Sequence, residues 1–290
     1  MKEKQLSIGF IGTGIMGKSM VSHLLKAKYK VYIYNRSKEK ALELIEKGAG
    51  WCNTPREVAE NADLIITMVG YPHDVEEVYF SSEGLLSHAK KNAILIDMTT
   101  STPTLAEKIY HSAKDKGLKA LDAPVSGGDI GAKNGTLTIM VGGDQEVFEE
   151  VTPIFSCFGH NVVYQGKAGA GQHTKMCNQI AIATNMIGVS EALVYAKKAG
   201  LNPENVLKSI SAGAAGSFSL SNLAPRMLIN DYSPGFFIKH FIKDMGIALA
   251  EAEKINLQLP GLELAKKIYD QLAENGEENS GTQAIIKYWE

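Results

Sequence analysis

The chain has 290 residues, of which 44% are hydrophobic and 21% charged, the balance of a globular protein with a full core and the length of one large domain or two ordinary ones. Thirty basic against 32 acidic side chains leave a formal charge of −2, so no global field draws the chain to nucleic acid or to a membrane surface. The longest apolar runs, such as residues 64–69, fall far short of the ~18 residues of a membrane helix.

Lys2 and Lys4 ahead of apolar residues have a faint likeness to a secretion signal. Gly12, Gly14 and Gly17 break that run and no small-residue cleavage pattern follows, so a mature cytoplasmic protein is expected. Cys52, Cys157 and Cys177 are widely separated and form no CxxC, which fits a reducing compartment and suggests neither disulfides nor zinc.

In the first half, apolar runs alternate with amphipathic stretches. Residues 6–11 read as a buried strand, 14–27 as a helix and 31–34 as a second strand. Ser37 is expected to cap a helix running to about Lys47 and closed by Gly48. Residues 64–69 and 94–96 are continuous apolar runs, the mark of strands covered on both faces, with a helix over 72–80 between them. A helix over 104–116 stops at Gly117, and strands over 118–121 and 136–141 follow. This βαβα alternation predicts an α/β domain with a mostly parallel, doubly wound sheet over residues 1–165. From 166 to 290 the reading is all-α. It opens with a helix over 169–198 that places Met176, Ile180, Ala183 and Ile187 at spacings of three and four and spans about 45 Å. Further helices are expected over 203–211, 237–254 and 262–274, then a polar loop and a last helix.

Three segments carry candidate chemistry. Gly12-Thr13-Gly14-Ile15-Met16-Gly17 lies between a strand and a helix, where such glycines allow a tight turn, close approach of a pyrophosphate and close helix packing, with the helix N-terminus facing the phosphates. It points to a dinucleotide. About 20 residues on, where an NAD site usually has a carboxylate, stands Asn35-Arg36-Ser37. Arg36 can pair with a 2′-phosphate and Ser37 can donate to it, so NADP is favoured and NAD remains possible; alternatively, Arg36 is a solvated residue beside a permissive site.

The second segment, Asp122 to Gly128, reads as a loop in which Pro124 adds stiffness. Ser126, Gly127 and Gly128 could there form an anion-binding nest for a small substrate carboxylate, or simply an irregular turn. The third opens the long helix. Lys175 and Asn178 share a face, with Gln179 beside them. Lys175 reads either as a snorkelling surface lysine or as a general acid/base in a closed cleft. His173 is assigned no role, and no histidine spacing suggests a metal. Lys239 and Lys243, one turn apart and followed by Asp244, read on their own as an exposed basic stripe.

Taken in this order, the segments resemble the β-hydroxyacid dehydrogenase family over essentially the whole chain. Residues 10–17 are similar to its cofactor signature, residues 122–128 with Gly135-Thr136-Leu137 to its substrate loop, Gly171 through Lys175 to Asn178 to its catalytic helix start, and Lys243-Asp244 to its late pair. The resemblance implies a Rossmann-type domain followed by a helical domain, with Lys175 as catalytic acid/base and Asn178 as its partner. It implies Ser126, Gly127 and Gly128 on the substrate carboxylate, and Val69 and Thr100 beside the cofactor. Lys243 would reach cofactor or substrate, reversing its bland reading. It also implies a homodimer or homotetramer. Asn35-Arg36-Ser37 departs from members with an acidic residue there. The rival expectations are an imine reductase on the same fold and a non-catalytic NADP-sensing module.

Overall fold

The computed structural model describes residues 6–289, so Lys2 and Lys4 lie outside the described residues. The chain forms two compact units, one ending at Lys175 and the other starting at Met176. The expected boundary after residue 165 lies at the end of the last strand, whereas the units part inside the long helix.

In the first unit the strands are β1 (Ser7–Ile11), β2 (Lys30–Tyr34), β3 (Gly50–Trp51), β4 (Leu64–Thr67), β5 (Ile94–Asp97), β6 (Lys119–Asp122), β7 (Val125–Ser126), β8 (Leu137–Gly143) and β9 (Gly159–Gly166). Between them run α1 (Ile15–Lys26), α2 (Leu42–Glu46), α3 (Pro55–Asn61), α4 (Pro72–Phe80), α5 (Leu85–His88), α6 (Pro103–Asp115), α7 (Gly128–Asn134) and α8 (Gln145–Phe155). The strands make one sheet in the order β3-β2-β1-β4-β5-β6-β8-β7, with β9 beside β8. The first six run parallel. β8 is antiparallel to β6 and β7 and parallel to β9.

The apolar runs become strands because each must be covered twice. Ile8 and Phe10, Leu64 and Ile66, and Ile94 and Ile96 enter one core with α1, α2 and α8. Ile65 and Leu95, pointing the other way by the two-residue period, enter a second core with α3, α4 and α5. The result is a doubly wound Rossmann sheet whose strand order reverses between β1 and β4. Ligands of such sheets bind beyond the carboxyl ends at that point.

Some local expectations need correction. Ser37 occupies a cap position but its side chain makes no capping bond, and the helix expected there is a 3-10 turn (Lys38–Ala41) followed by the short α2. Residues 68–69 leave β4 for the loop beyond it. The segment after Ser126 is the helix α7 rather than an irregular loop. The final helix is a 3-10 helix, Thr282–Trp289.

α9 (Ala170–Lys198) starts in the first unit and runs on into the second. The second unit adds α10 (Pro203–Ser211), α11 (Ala224–Leu228), α12 (Ile238–Lys254) and α13 (Pro260–Leu272). Met176, Ala183, Met186 and Leu193 of α9 are buried with Phe241 and Met245 of α12 and Ile268 and Tyr269 of α13 in one core. Among the described residues no helix is long and apolar enough to cross a membrane, and no group of three His, Cys, Asp or Glu side chains could hold a metal.

Candidate active site

The turn after β1 is shaped by what a side chain would strike. Gly12 has φ +96°, and a Cβ there would run into the Met68 carbonyl; a Cβ on Gly17 would meet the Gly12 carbonyl. The Gly12 N–H donates to Tyr34 O at 2.9 Å, tying the turn to the end of β2. At Gly14 the opposite holds: nothing lies within 4 Å of a Cβ, and Ile15 beside it is exposed. Gly14 offers no side-chain cap, so the first N–H groups of α1 have no capping side chain. Met16 packs back against the core, and the Thr13 hydroxyl is buried without a hydrogen-bond partner. An open, uncapped helix start over a collapsed glycine turn is the cradle a dinucleotide pyrophosphate fits.

Asn35 braces this turn. Its Oδ1 accepts the Thr13 N–H at 3.0 Å and its Nδ2 donates to Ser37 O at 2.9 Å. Arg36 is three-quarters exposed, yet its Nη1 lies 3.0 Å from Oδ1 of the buried Asp74. Asp74 Oδ2 accepts the Tyr71 N–H at 3.0 Å, so the carboxylate also caps α4. Asp74 was not visible as a partner in the sequence, because nothing local marks it.

A second cluster lies at the ends of β4, β5 and β6. Asp97 is fully buried; its Oδ1 accepts from Thr67 Oγ1 at 2.7 Å and from the Thr99 N–H at 3.1 Å. Burial pushes its carboxyl up to about 6, against the pull of those two donors. Thr99 Oγ1 in turn accepts the Val69 N–H at 3.0 Å, which brings the Val69 loop and the Thr99 turn together. Gln172 of α9 closes the turn: its Nε2 donates to Thr99 O at 2.8 Å and its Oε1 accepts the Ser101 N–H at 3.0 Å. Thr100 is therefore held between two backbone groups clamped by one amide.

Asp122 fixes the start of α9. Its Oδ1 accepts the Gly169 N–H at 2.8 Å and its Oδ2 the Gln172 N–H at 2.9 Å, a remote carboxylate serving as helix cap. Burial raises the Asp122 carboxyl above its ordinary range, and the N–H donors pull it back. One turn further along α9 is Lys175, only 6% exposed, which excludes the snorkelling surface reading. Ser126 ends β7, paired opposite Thr138. Gly127 (φ +120°) and Gly128 (φ +62°) make the sharp entry into α7.

In the second unit, Asn178 Nδ2 donates to Gln179 Oε1 at 2.7 Å, and Gln179 Nε2 donates to Asp244 Oδ2 at 2.6 Å. Lys243 Nζ lies 3.0 Å from Asp244 Oδ1 and its side chain is only 12% exposed, so the exposed-stripe reading of Lys243 is wrong. Lys239 is half-buried: it donates to Asn279 Oδ1 and its ammonium lies 5.0 Å from the centre of the Phe237 ring.

Comparison with known proteins agrees with this architecture. Residues 7–166 match the NAD binding domain of 6-phosphogluconate dehydrogenase, and residues 169–289 the NAD-binding domain of NADP-dependent 3-hydroxyisobutyrate dehydrogenase. The chain is 65% identical to an uncharacterised oxidoreductase of Bacillus subtilis, YkwC, over 98% of both chains. It is 48% identical to the probable mitochondrial 3-hydroxyisobutyrate dehydrogenase-like 1 of Arabidopsis thaliana, over 96% of this chain and 84% of that one. A solved 3-hydroxyisobutyrate dehydrogenase of Mycobacterium tuberculosis, with L-serine, superposes with a TM-score of 0.89 at 28% identity over 99% of both chains. The chain belongs to the β-hydroxyacid dehydrogenase family, as a 3-hydroxyisobutyrate dehydrogenase-like member. That family makes it an NAD(P)-dependent hydroxyacid dehydrogenase.

Proposed function

We propose that the chain interconverts a short β-hydroxy acid and its semialdehyde with NADP(H), using Lys175 as general acid/base. The observation that carries this reading is a buried lysine on a helix whose first turn is pinned, through Asp122 and Gln172, to the turn holding Thr99 and Thr100. A bound nicotinamide dinucleotide supplies or removes the hydride. The residues to hold it are the turn Gly12, Thr13, Gly14, Ile15, Met16 and Gly17, then Asn35, Arg36, Ser37, Val69, Thr100 and Lys243.

Lys175 as an ammonium donates a proton to the oxygen that becomes a hydroxyl; as an amine it accepts that proton in oxidation. Asn178, three residues along the same helix, holds the reacting oxygen or the lysine. Ser126, Gly127 and Gly128 orient the substrate through its carboxylate. The NADP preference rests on Asn35-Arg36-Ser37 in place of a carboxylate, and on a guanidinium that keeps several N–H donors beyond its bond to Asp74. We place the enzyme in a reducing cytoplasm, on the separation of its three thiols, and as a homodimer or homotetramer, on family resemblance. No nucleic acid, membrane or metal enters the reading.

The test is NADPH and NADH consumption against succinic, tartronic and methylmalonic semialdehydes, in wild type and Lys175→Ala. We expect rapid turnover of one aldehyde, a loss of about 10²–10⁴-fold in kcat in the variant, and cofactor affinity little changed. Full turnover in Lys175→Ala would remove the lysine. Silence of the wild type with NADP still bound would replace the substrate class by an imine or by a sensing role.

A further inference from the structure

The pair Gln179 and Asp244 has no part in the chemistry proposed above, yet both side chains are 1% exposed and hydrogen-bonded to each other across 65 residues of sequence. A buried amide and a buried carboxylate persist only if each finds its partners. Asn178 is hydrogen-bonded to Gln179 at one end; at the other, Lys243 Nζ lies 3.0 Å from Asp244 Oδ1 as an ion pair, without a hydrogen bond to that oxygen.

The order of donors along this row is forced. An ionised carboxylate can only accept, and the Lys243 ammonium 3.0 Å from Oδ1 supplies the counter-charge for Asp244 as an anion. Gln179 must therefore turn its NH2 toward Asp244 Oδ2, as the 2.6 Å contact has it. Its carbonyl then faces Asn178, and only the NH2 of Asn178 can meet a carbonyl, at 2.7 Å. Asn178 keeps the second N–H of its NH2 and its carbonyl oxygen, and the carbonyl oxygen is the end turned away from Gln179. A free asparagine presents either end of its amide. This one presents an acceptor.

We infer that Gln179 is a positioning residue that transmits the acceptor character of Asp244 to Asn178, so that one N–H of Asn178 is held on Gln179 and its carbonyl oxygen is offered on the face of α9 it shares with Lys175. The groups this oxygen can meet are donors: a substrate hydroxyl, or the ammonium of a lysine one turn earlier on the helix. An NH2 in its place would oppose the ammonium, which only donates, and would leave the hydroxyl to accept instead of donate. The inference rests on the proposed role of Lys175 and Asn178, but the relay itself exists or fails independently of it.

Two near-isosteric variants separate the relay from its surroundings. Asp244→Asn removes the acceptor-only end and lets the row reverse. Gln179→Met keeps the volume and leaves Asp244 with Lys243, but releases Asn178. Both should lower kcat about ten-fold, because the oriented hydrogen bond is lost, and both should lower the melting temperature, because each leaves a buried group without its partner. Cofactor affinity should stay near wild type in Gln179→Met, which leaves Lys243 paired with Asp244. A loss in Asp244→Asn with Gln179→Met at wild-type kcat would assign the effect to Lys243 and overturn the relay. The side-chain amide signals of Asn178 in ¹⁵N-labelled wild type and Gln179→Met supply a readout independent of turnover. They should show slow exchange only in the wild type. Identical Asn178 signals in the two proteins would overturn the relay whatever the substrate is. A wild type inert on every semialdehyde, with the amide signals as expected, would overturn the activity and keep the relay.

Discussion

Asp122→Asn is the most informative single change in the first unit. The carboxylate is 4% exposed and takes two N–H donors, Gly169 at 2.8 Å and Gln172 at 2.9 Å, one per oxygen. Space for an alternative partner is absent: a Cβ on Gly142 would lie 2.6 Å from Oδ1 and one on Gly171 2.8 Å from Oδ2. Asparagine keeps one acceptor and turns an NH2 against the other N–H, so one charge-assisted bond is lost and one buried donor is stranded. Each such loss costs about 1–3 kcal/mol. The relief of no longer burying a charge offsets part of it, since burial already disfavours the charged form of Asp122. The net expectation is a loss of about 2–4 kcal/mol, or about 5–15 °C in the melting temperature of a unit this size. Calorimetry or urea titration reads the stability, and kcat reads the placement of Lys175, which sits one turn beyond the capped N–H groups. A variant melting within a degree of wild type, with kcat unchanged, would refute the assignment of Asp122 as the cap that sets this helix.

Arg36→Ala should weaken NADPH binding by about 10–100-fold and NADH binding by less than three-fold, because only the former loses charge-assisted bonds to a phosphate. Equal losses in a fluorescence titration would mean that the arginine serves Asp74 and not the cofactor. Asp97 sets a pH dependence. Its carboxyl is raised to about 6, above the ~3.9 of an exposed aspartate, so the folded chain binds the proton more tightly than the unfolded chain does. Stability from this group is therefore full below pH ~4 and declines by about 2–3 kcal/mol as pH rises to ~6. Asp97→Asn should flatten that decline in urea titrations at pH 4.5 and 6.5. An unchanged slope would rule Asp97 out as its source.

Elements that bury both faces were legible, since a run such as Leu64 to Ile66 has no other use than a covered strand. The long helix was legible from its spacing. α3 was missed although Thr54, Pro55 and Glu57 form a helix-start signature: the Thr54 hydroxyl accepts the Glu57 N–H, with Pro55 in the first turn. α8 was obscured by Pro153 inside it, and β9 by a half-exposed face that mixes His160 and Asn161 with Val162 and Val163. In the candidate site, the glycine turn and Lys175 could be singled out because their chemistry is local. Asp74, Asp122, Gln172, Gln179 and Asp244 could not be assigned, since each acts on a partner that only tertiary structure supplies, from Asp74 on Arg36 to Asp122 on Gln172, 50 residues away.

The remote cap also has a consequence for the order of assembly. Most helices carry their capping side chain within a residue of their own first turn, and so can start before anything else has formed. The cap of α9 is 47 residues upstream of Gly169, at the end of β6. Closing a loop of that length is an entropic cost met only when β5 and β6 are already paired and Asp122 is held in the sheet. The first turn of α9 is then among the last parts of the first unit to settle. A chain emerging from synthesis therefore contains Lys175 well before it contains a placed Lys175.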